Sequence, residues 1–502
     1  MATKSYLAID MGASSGRHVV GNFDGQRLEL DELYRFENGP VAMIDSFFWD
    51  LPGLWSHVQK GLAVAANRYP DLTSVGVDTW GVDFAFLTER GELLGNPYCY
   101  RDARTDGAME RAFAKVPRET IFSQTGLQFM QFNSLFQLFV MKEQNSPFLD
   151  LADRFLMMPD LFHWLLSGVA CNEFTNATTT QCYNPETGDW ARPLLTELGI
   201  PERLFHPVSM PGSVLGDVRT SVRNVTGLPS GVRVVLPGTH DTASAVMAVP
   251  TDRPVGSTDW AYVSLGTWAL MGIESPRPIV NDTVAGFNFT NEGGVGGTMR
   301  ILKNICGLWL IQECRRVWNL QGRKNSSGGP LDWEDLNQMT AAAKPLQFFI
   351  DPDAREFLGP TDMPAAIRAF AKKTNQPVPE NEGGVLRGAI DSIAMKFRHA
   401  LEMCESISGD KVKTLHIVGG GIRNQLLCQA AANATGCRVV TGPVEATAIG
   451  NVMMQAVASG EVANIEEARR VVRDSFEVVE YEPQDQQKWS DAWPRFLEIL
   501  GR

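Results

Sequence analysis

The chain has 502 residues, roughly three times a typical single domain, so two or more domains are expected in place of one continuous core. Its 45 basic and 58 acidic residues sum to −13, which argues against a general nucleic-acid binder, and an apolar content of 44% excludes wholesale disorder. Glycine is mildly abundant, 46 residues against an average usage of ~7%, and its positions organise the reading that follows.

Residues 5–9 form a short apolar strand that runs into Asp10-Met11-Gly12-Ala13-Ser14-Ser15-Gly16-Arg17. Residues 18–25 read as a second strand and a turn, so the chain opens on a β-hairpin and not on a strand feeding a helix. A third strand is expected over 27–36, a helix over 54–69, and a strand over 74–78 leading into Trp80-Gly81-Val82-Asp83. Strands followed by amphipathic helices indicate an α/β domain. Residues 120–141 carry no charge, yet Gln124, Gln128, Gln131, Asn133 and Gln137 would be costly in lipid, so no membrane span is expected there. A buried strand over 232–236 precedes Gly238-Thr239-His240-Asp241-Thr242 at the start of a helix of small residues. Residues 249–256 are turn-rich and read as a hinge.

A second unit is expected to begin near Thr258, with a strand over 261–265, the turn Gly266-Thr267-Trp268-Ala269 and a strand over 270–274. Both openings follow one plan (strand, glycine with a hydroxyl residue, strand), as two similarly built domains would. Further on come a strand over 415–418 ending in Gly419-Gly420-Gly421, a helix over 424–434 and a strand over 437–441.

The eight cysteines (Cys99, Cys171, Cys182, Cys306, Cys314, Cys404, Cys428, Cys437) include no C-x-x-C pair, so scattered reduced thiols are expected, not a disulfide framework or a zinc site. The apolar run at 6–9 is too short for a signal peptide, and a soluble cytoplasmic protein is the expectation. Neither G-x-x-x-x-G-K-[ST] nor G-x-G-x-x-G occurs. Three glycine-rich turns follow apolar strands instead, and such turns let backbone N–H groups approach an anion closely. In the first, Ser14, Ser15 and Arg17 add donors and Asp10 offers a carboxylate suited to Mg²⁺ through water; the plainer alternative is a tight hairpin. The same turn matches G-x-S-x-G, but a nucleophile elbow must feed a helix and this turn feeds a strand.

Asp241, beside His240 and two hydroxyls at a helix start, suits a general base in a cleft; the alternative is a simple helix cap. Asp78, Trp80, Gly81 and Asp83 lie at a strand end, where ligand sites of α/β folds concentrate. Carboxylates beside an aromatic face suit a sugar, and a half-buried strand end is the duller reading.

On these and further segments the sequence resembles the FGGY carbohydrate kinases. The resemblance runs through AIDMGASSGR (8–17), VDTWGVDF (77–84), YRDART (100–105), MPDLF (158–162), TNATTTQ (175–181) and HDTASAV (240–246). It continues through SLGTWALMG (264–272), TNEGG (290–294), LKNICGLWLIQ (302–312), LHIVGGGIRNQLL (415–427) and GPVEATAIGN (442–451). It implies an α/β fold of two ribonuclease-H-like, actin-like ATPase domains flanking a cleft, at 1–248 on the sugar and phosphate side and 258–483 on the nucleotide side, with a helical tail at 484–502.

Within the family, the DTWGVD, TNATTTQ and KNICGLWLIQ segments resemble the branch that phosphorylates L-rhamnulose at its 1-hydroxyl with ATP. Matching positions imply Asp241 as general base, with Gly81, Asp83, His240 and Thr242 at the sugar. They imply ATP contacts from Ala13, Ser14, Ser15, Gly16, Arg17, Thr267, Asn304, Gln312 and Gly420, with Mg²⁺ near Asp10. The generic family signature around a lysine and a tryptophan in the first half is not evident; the stretch reads Phe132-Asn133-Ser134-Leu135-Phe136-Gln137-Leu138. The rival readings are a kinase for another ketose, such as L-fuculose, and a chaperone-like ATPase of the same fold. The latter would need a peptide-binding module, whereas only a tail with Trp489 and Trp493 follows the second domain.

Overall fold

A computed structural model describes residues 3–501 and divides into two compact units. The first comprises the segment ending at Ser257, together with Glu274–Ile301 and Glu445–Phe476; the second comprises Thr258–Ile273, Leu302–Val444 and the segment from Glu477.

The first sheet has six strands in the order Val214–Asp217, Arg233–Val235, Leu72–Thr79, Lys4–Met11, Ser15–Phe23, Leu28–Glu37. Lys4–Met11 pairs antiparallel with Ser15–Phe23 and parallel with Leu72–Thr79, so it is a central strand. Its unbroken buried run from Leu7 to Met11 fits that place, because a strand covered on both faces loses the polar alternation. The expected hairpin and third strand are both present, and the helix expected over 54–69 is Leu51–Arg68. Asp50 caps that helix by accepting from the Gly53 N–H, and Leu51, Leu54, Val58, Leu62 and Ala65 line its buried face.

The helix Ala446–Ala458 is buried almost all round and packs on the strands Lys4–Met11 and Leu72–Thr79. Asn451 and Gln455, one turn apart, meet the sheet with polar groups. The Gln455 amide donates to Leu7 O at 2.9 Å and accepts from Ser74 Oγ at 2.6 Å. Each amide thereby satisfies sheet groups that burial would otherwise orphan. Farther along, buried Arg469 pairs with Glu274 at 3.1 Å, joining the two later segments of this unit.

The second sheet has seven strands in the order Thr290–Gly293, Met299–Cys306, Trp268–Ser275, Trp260–Leu265, Thr414–Val418, Arg438–Thr441, Val479–Tyr481, which repeats the plan of the first with one added edge strand. The strand Trp260–Leu265 pairs antiparallel with Trp268–Ser275 and parallel with Thr414–Val418. The helix Gln425–Thr435 follows the glycine turn, and the tail forms the helix Gln486–Ile499, which buries Trp489, Ala492 and Phe496.

Residues 120–141 divide between the helices Arg118–Thr125 and Ser134–Glu143. Among the described residues no helix is long and apolar enough to cross a membrane. All eight cysteines are buried and unpaired.

Candidate active site

The first glycine turn joins two strands whose register sets Asp10 opposite Arg17 and Met11 opposite Gly16. Gly12 N–H donates to Ser15 O at 2.8 Å, and Asn38 clasps the turn by donating to Gly12 O. Ala13, Ser14 and Ser15 form its rim, with Ser14 exposed. A Cβ at Gly16 would lie 2.2 Å from the Phe36 ring and would force that ring to shift. Arg17 donates through Nε and Nη2 to Asp10 Oδ2 at 2.9 and 2.7 Å and pairs with Glu445 through Nη1. Desolvation pulls the Arg17 pKa down, but Asp10 and Glu445 outweigh it and raise it.

In the neighbouring parallel strand Asp78 stands in register with Asp10. It is fully buried, Asn451 Nδ2 donates to its Oδ2 at 2.5 Å, and its Oδ1 has no partner. Burial, then the Asp10 and Asp241 carboxylates, raise its pKa well above the ordinary carboxylate range.

The strand then turns at Trp80-Gly81-Val82-Asp83, and here the structure differs from a sugar-stacking face. Trp80 packs on Trp49 with ring centroids 4.1 Å apart, and both indoles donate to Asp83 Oδ2, at 3.0 and 2.7 Å. Tyr100 N–H donates to the same oxygen and Gln137 Nε2 to Oδ1. Asp83 has no exposed surface, so it holds the turn from inside and presents no oxygen to a sugar. Burial raises its pKa to about 6.

Gly81 is half-buried, and a Cβ there would meet Thr179 Oγ1 at 2.8 Å. Val82 has φ +68°, a left-handed conformation that costs a β-branched residue energy. Its N–H donates to Thr179 Oγ1, while Ser134 Oγ donates to its carbonyl at 2.5 Å. Strain held by the surrounding structure in this way is typical of ligand sites.

The helix Asp241–Met247 begins at Asp241, with His240 in the cap position and no side-chain capping bond. Asp241 is therefore not a simple cap: its Oδ1 accepts from the adjacent Thr242 N–H at 2.5 Å and from Thr242 Oγ1 at 3.1 Å. Its side chain is 31% exposed. Desolvation raises its pKa, His240 lowers it and Asp10 raises it further.

Four contributors carry no assigned role in the sequence reading. Glu173, buried, accepts from Thr175 N–H and Oγ1 and from Thr239 N–H and Oγ1, while Thr175 Oγ1 accepts from His240 N–H. The threonine-rich TNATTTQ segment is thus a brace for the Asp241 turn. The second is Asn451, through Asp78. Glu292 and Arg300, also buried, surround His240. Burial alone would raise the Glu292 pKa, and the Arg300 guanidinium at 3.2 Å is among the groups that hold it low. An acid two residues ahead of the threonine-rich TNATTTQ segment, and another inside TNEGG, were the only local signals.

In the second unit, the turn at Gly266 and Thr267 seats the helix Trp309–Leu320, because Leu308 N–H donates to Gly266 O and Trp309 N–H to Thr267 O. Thr267 Oγ1 donates to Gln312 Oε1 at 3.2 Å. Asn304 lies on the strand Met299–Cys306. Gly419 and Gly421 pack against Leu265, and exposed Gly420 faces open space. The structure thus gathers Asp10, the turn 13–17, Gly81, His240, Asp241 and Thr242 in the first unit, and Thr267 and Gln312 in the second.

Residues 5–248 match the N-terminal domain of the FGGY family of carbohydrate kinases, and residues 261–459 match its C-terminal domain. The chain is 40% identical over 494 residues to a rhamnulokinase of Bacteroides thetaiotaomicron, covering 98% of this chain and 99% of the relative. A rhamnulokinase of Halalkalibacterium halodurans is 39% identical over 96% of this chain and 99% of its own length. The crystal structure of a gluconate kinase from Lactobacillus acidophilus superposes with a TM-score of 0.81 at 15% identity, covering 100% of this chain and 98% of the other, and so shares the actin-like ATPase fold.

Proposed function

The chain belongs to the FGGY family of carbohydrate kinases, and we propose that it transfers the γ-phosphoryl group of ATP to the 1-hydroxyl of L-rhamnulose, giving L-rhamnulose 1-phosphate and ADP. The observation that carries the choice of sugar is near-full-length identity of 37–40% to rhamnulokinases.

Phosphoryl transfer passes through a loose transition state, so the protein chiefly positions reactants and neutralises charge. Asp241 is the general base: it accepts the hydroxyl proton as the sugar oxygen bonds to phosphorus and the bond to the ADP oxygen breaks. Its partial exposure and desolvated carboxylate support that role. Gly81, His240 and Thr242 line the sugar, while Asp83 holds the turn that carries Gly81. Ala13 to Arg17 cradle phosphate oxygens through backbone N–H groups and the guanidinium. Thr267, Asn304, Gln312 and Gly420 serve the nucleotide, so sugar and phosphate contacts fall on the first unit and nucleotide contacts on the second.

The Asp10 carboxylate, which offers only oxygen ligands beside the first glycine turn, would hold Mg²⁺ through water. Mg²⁺ held there would supply positive charge to neutralise the phosphates of ATP. Eight buried, unpaired cysteines support a reducing, cytoplasmic setting.

An ADP-release assay over a panel of ketoses, with and without Mg²⁺, tests the substrate. L-Rhamnulose is expected to give the highest kcat/KM, and preference for another ketose such as L-fuculose would defeat the assignment. Stimulation by unfolded peptide and not by sugar would favour the chaperone-like alternative. Asp241→Asn is expected to lower kcat by about 10²–10⁴ while leaving sugar and ATP binding nearly intact by calorimetry. Retention of more than about a tenth of kcat removes Asp241 from the base role.

A further inference from the structure

The imidazole of His240 sits among three charged side chains of the first unit. Its Nε2 lies 3.4 Å from Asp241 Oδ1. On the other side, Nδ1 lies 3.1 Å from Arg300 Nη2 and 3.3 Å from Glu292 Oε2. Arg300 is 0% exposed, donates through Nε to Gly293 O at 2.9 Å, and lies 3.2 Å from Glu292 Oε2 through the same Nη2.

These contacts cannot all be hydrogen bonds at once, because Nδ1 either donates to Glu292 or accepts from Arg300. The Arg300 contact has hydrogen-bond geometry, whereas the Glu292 contact has only ion-pair proximity. A guanidinium has five N–H donors and no acceptor, so Nδ1 must be the acceptor. A neutral imidazole then carries its proton on Nε2, the nitrogen that faces Asp241.

We propose that Arg300, anchored by Glu292, is a positioning residue for phosphoryl transfer: it fixes His240 as the Nε2–H tautomer, which turns its N–H toward Asp241 Oδ1 and leaves Oδ2 to take the sugar proton. Asp241 Oδ1 already accepts from Thr242 N–H and Oγ1, and His240 Nε2 faces that same oxygen from 3.4 Å, at ion-pair distance. No hydrogen bond reaches Oδ2 from the described residues. In the reaction the 1-hydroxyl proton passes to Oδ2, the sugar oxygen bonds to the γ-phosphorus, and the electron pair of the broken P–O bond leaves with ADP. The proton returns to solvent before the next turnover. The opposite tautomer would set the Nε2 lone pair against the carboxylate and turn the base, a tautomer error of the kind that disables the serine-protease triad. The inference rests on the reading of Asp241 as the base.

The test is ¹⁵N NMR of the full-length protein labelled at its seven histidines, with the His240 signal identified by its loss in His240→Gln. The wild type is expected to show Nε2 protonated and Nδ1 bare at neutral pH. Arg300→Gln, whose amide either donates or accepts, is expected to give mixed tautomers and to lower kcat by at least about tenfold with sugar KM within about threefold. Arg300→Lys, another pure donor, is expected to keep the wild-type tautomer and most of kcat. A wild-type imidazole protonated at Nδ1, or at both nitrogens, overturns the proposal. So does an Arg300→Gln enzyme with kcat within about threefold of wild type, or a loss confined to KM. If Arg300→Gln fails to fold, the wild-type tautomer and Arg300→Lys decide. An active Asp241→Asn enzyme marks failure of the base reading itself, whatever tautomer is found.

Discussion

Asp83 gathers two indoles, a backbone N–H and a side-chain amide around one buried charge, and its pKa is raised from 3.8 to about 6. The folded state therefore holds this proton more tightly than the unfolded chain does. Its contribution to stability is complete below about pH 4 and is lost as pH rises through about 6, an effect on the order of 3 kcal/mol. Urea unfolding of wild type and Asp83→Asn between pH 4 and 7.5 should show a steeper decline in the wild type; parallel profiles would contradict the assignment. The sequence reading placed Asp83 and Trp80 at a sugar because a strand end rich in aromatics and carboxylates has that composition. Local sequence does not say which way such side chains turn, and Trp49, which draws Asp83 inward, comes from a distant hairpin. The strand end before Gly81 and the helix start at Asp241 were legible from local pattern, whereas Thr179, which packs against Gly81, lies far off in sequence.

Among the elements, the helix Ala446–Ala458 sets the helix Asp241–Met247 in place, and the two backbones meet at Gly450. A Cβ at Gly450 would lie 1.8 Å from Ser244 O, within the turn that follows Asp241. That neighbour is backbone and cannot swing aside, so Gly450→Ala should cost roughly 1–3 kcal/mol and shift the base with its helix. Denaturant unfolding and kcat should fall together; a variant with wild-type stability and turnover would show that the helices have room to separate. The opening hairpin, the strand pairs around both glycine turns and the helix Gln425–Thr435 were all readable from hydrophobic pattern and turn residues. The return of Ala446–Ala458 to the first sheet was not, because an apolar helix announces that it is buried without naming what it is buried against. Asn451 and Gln455, one turn apart on that helix, were the available clue.

At the scale of the whole molecule, two sheets of one plan, the second with an added edge strand, account for the length, and eight buried thiols bear on its redox behaviour. Burial pushes Cys99 up to about 12 and Cys437 to about 11, so neither forms a reactive thiolate at neutral pH. A thiol reagent should label few cysteines in the native protein and all eight after unfolding, with the same melting temperature with and without reductant. Rapid labelling of several native thiols would contradict that burial.

The three-segment make-up of the first unit also bears on how the protein is born. A ribosome that has released Ser257 has supplied all six strands of the first sheet, but not the helix that covers one of its faces or the amides that satisfy Ser74 and Leu7. Those arrive only with residues 446–458, long after residue 257. The nascent first unit must therefore wait, with apolar strands uncovered, until the intervening residues of the second unit have emerged, the interval in which multidomain chains are most open to aggregation and to chaperone capture.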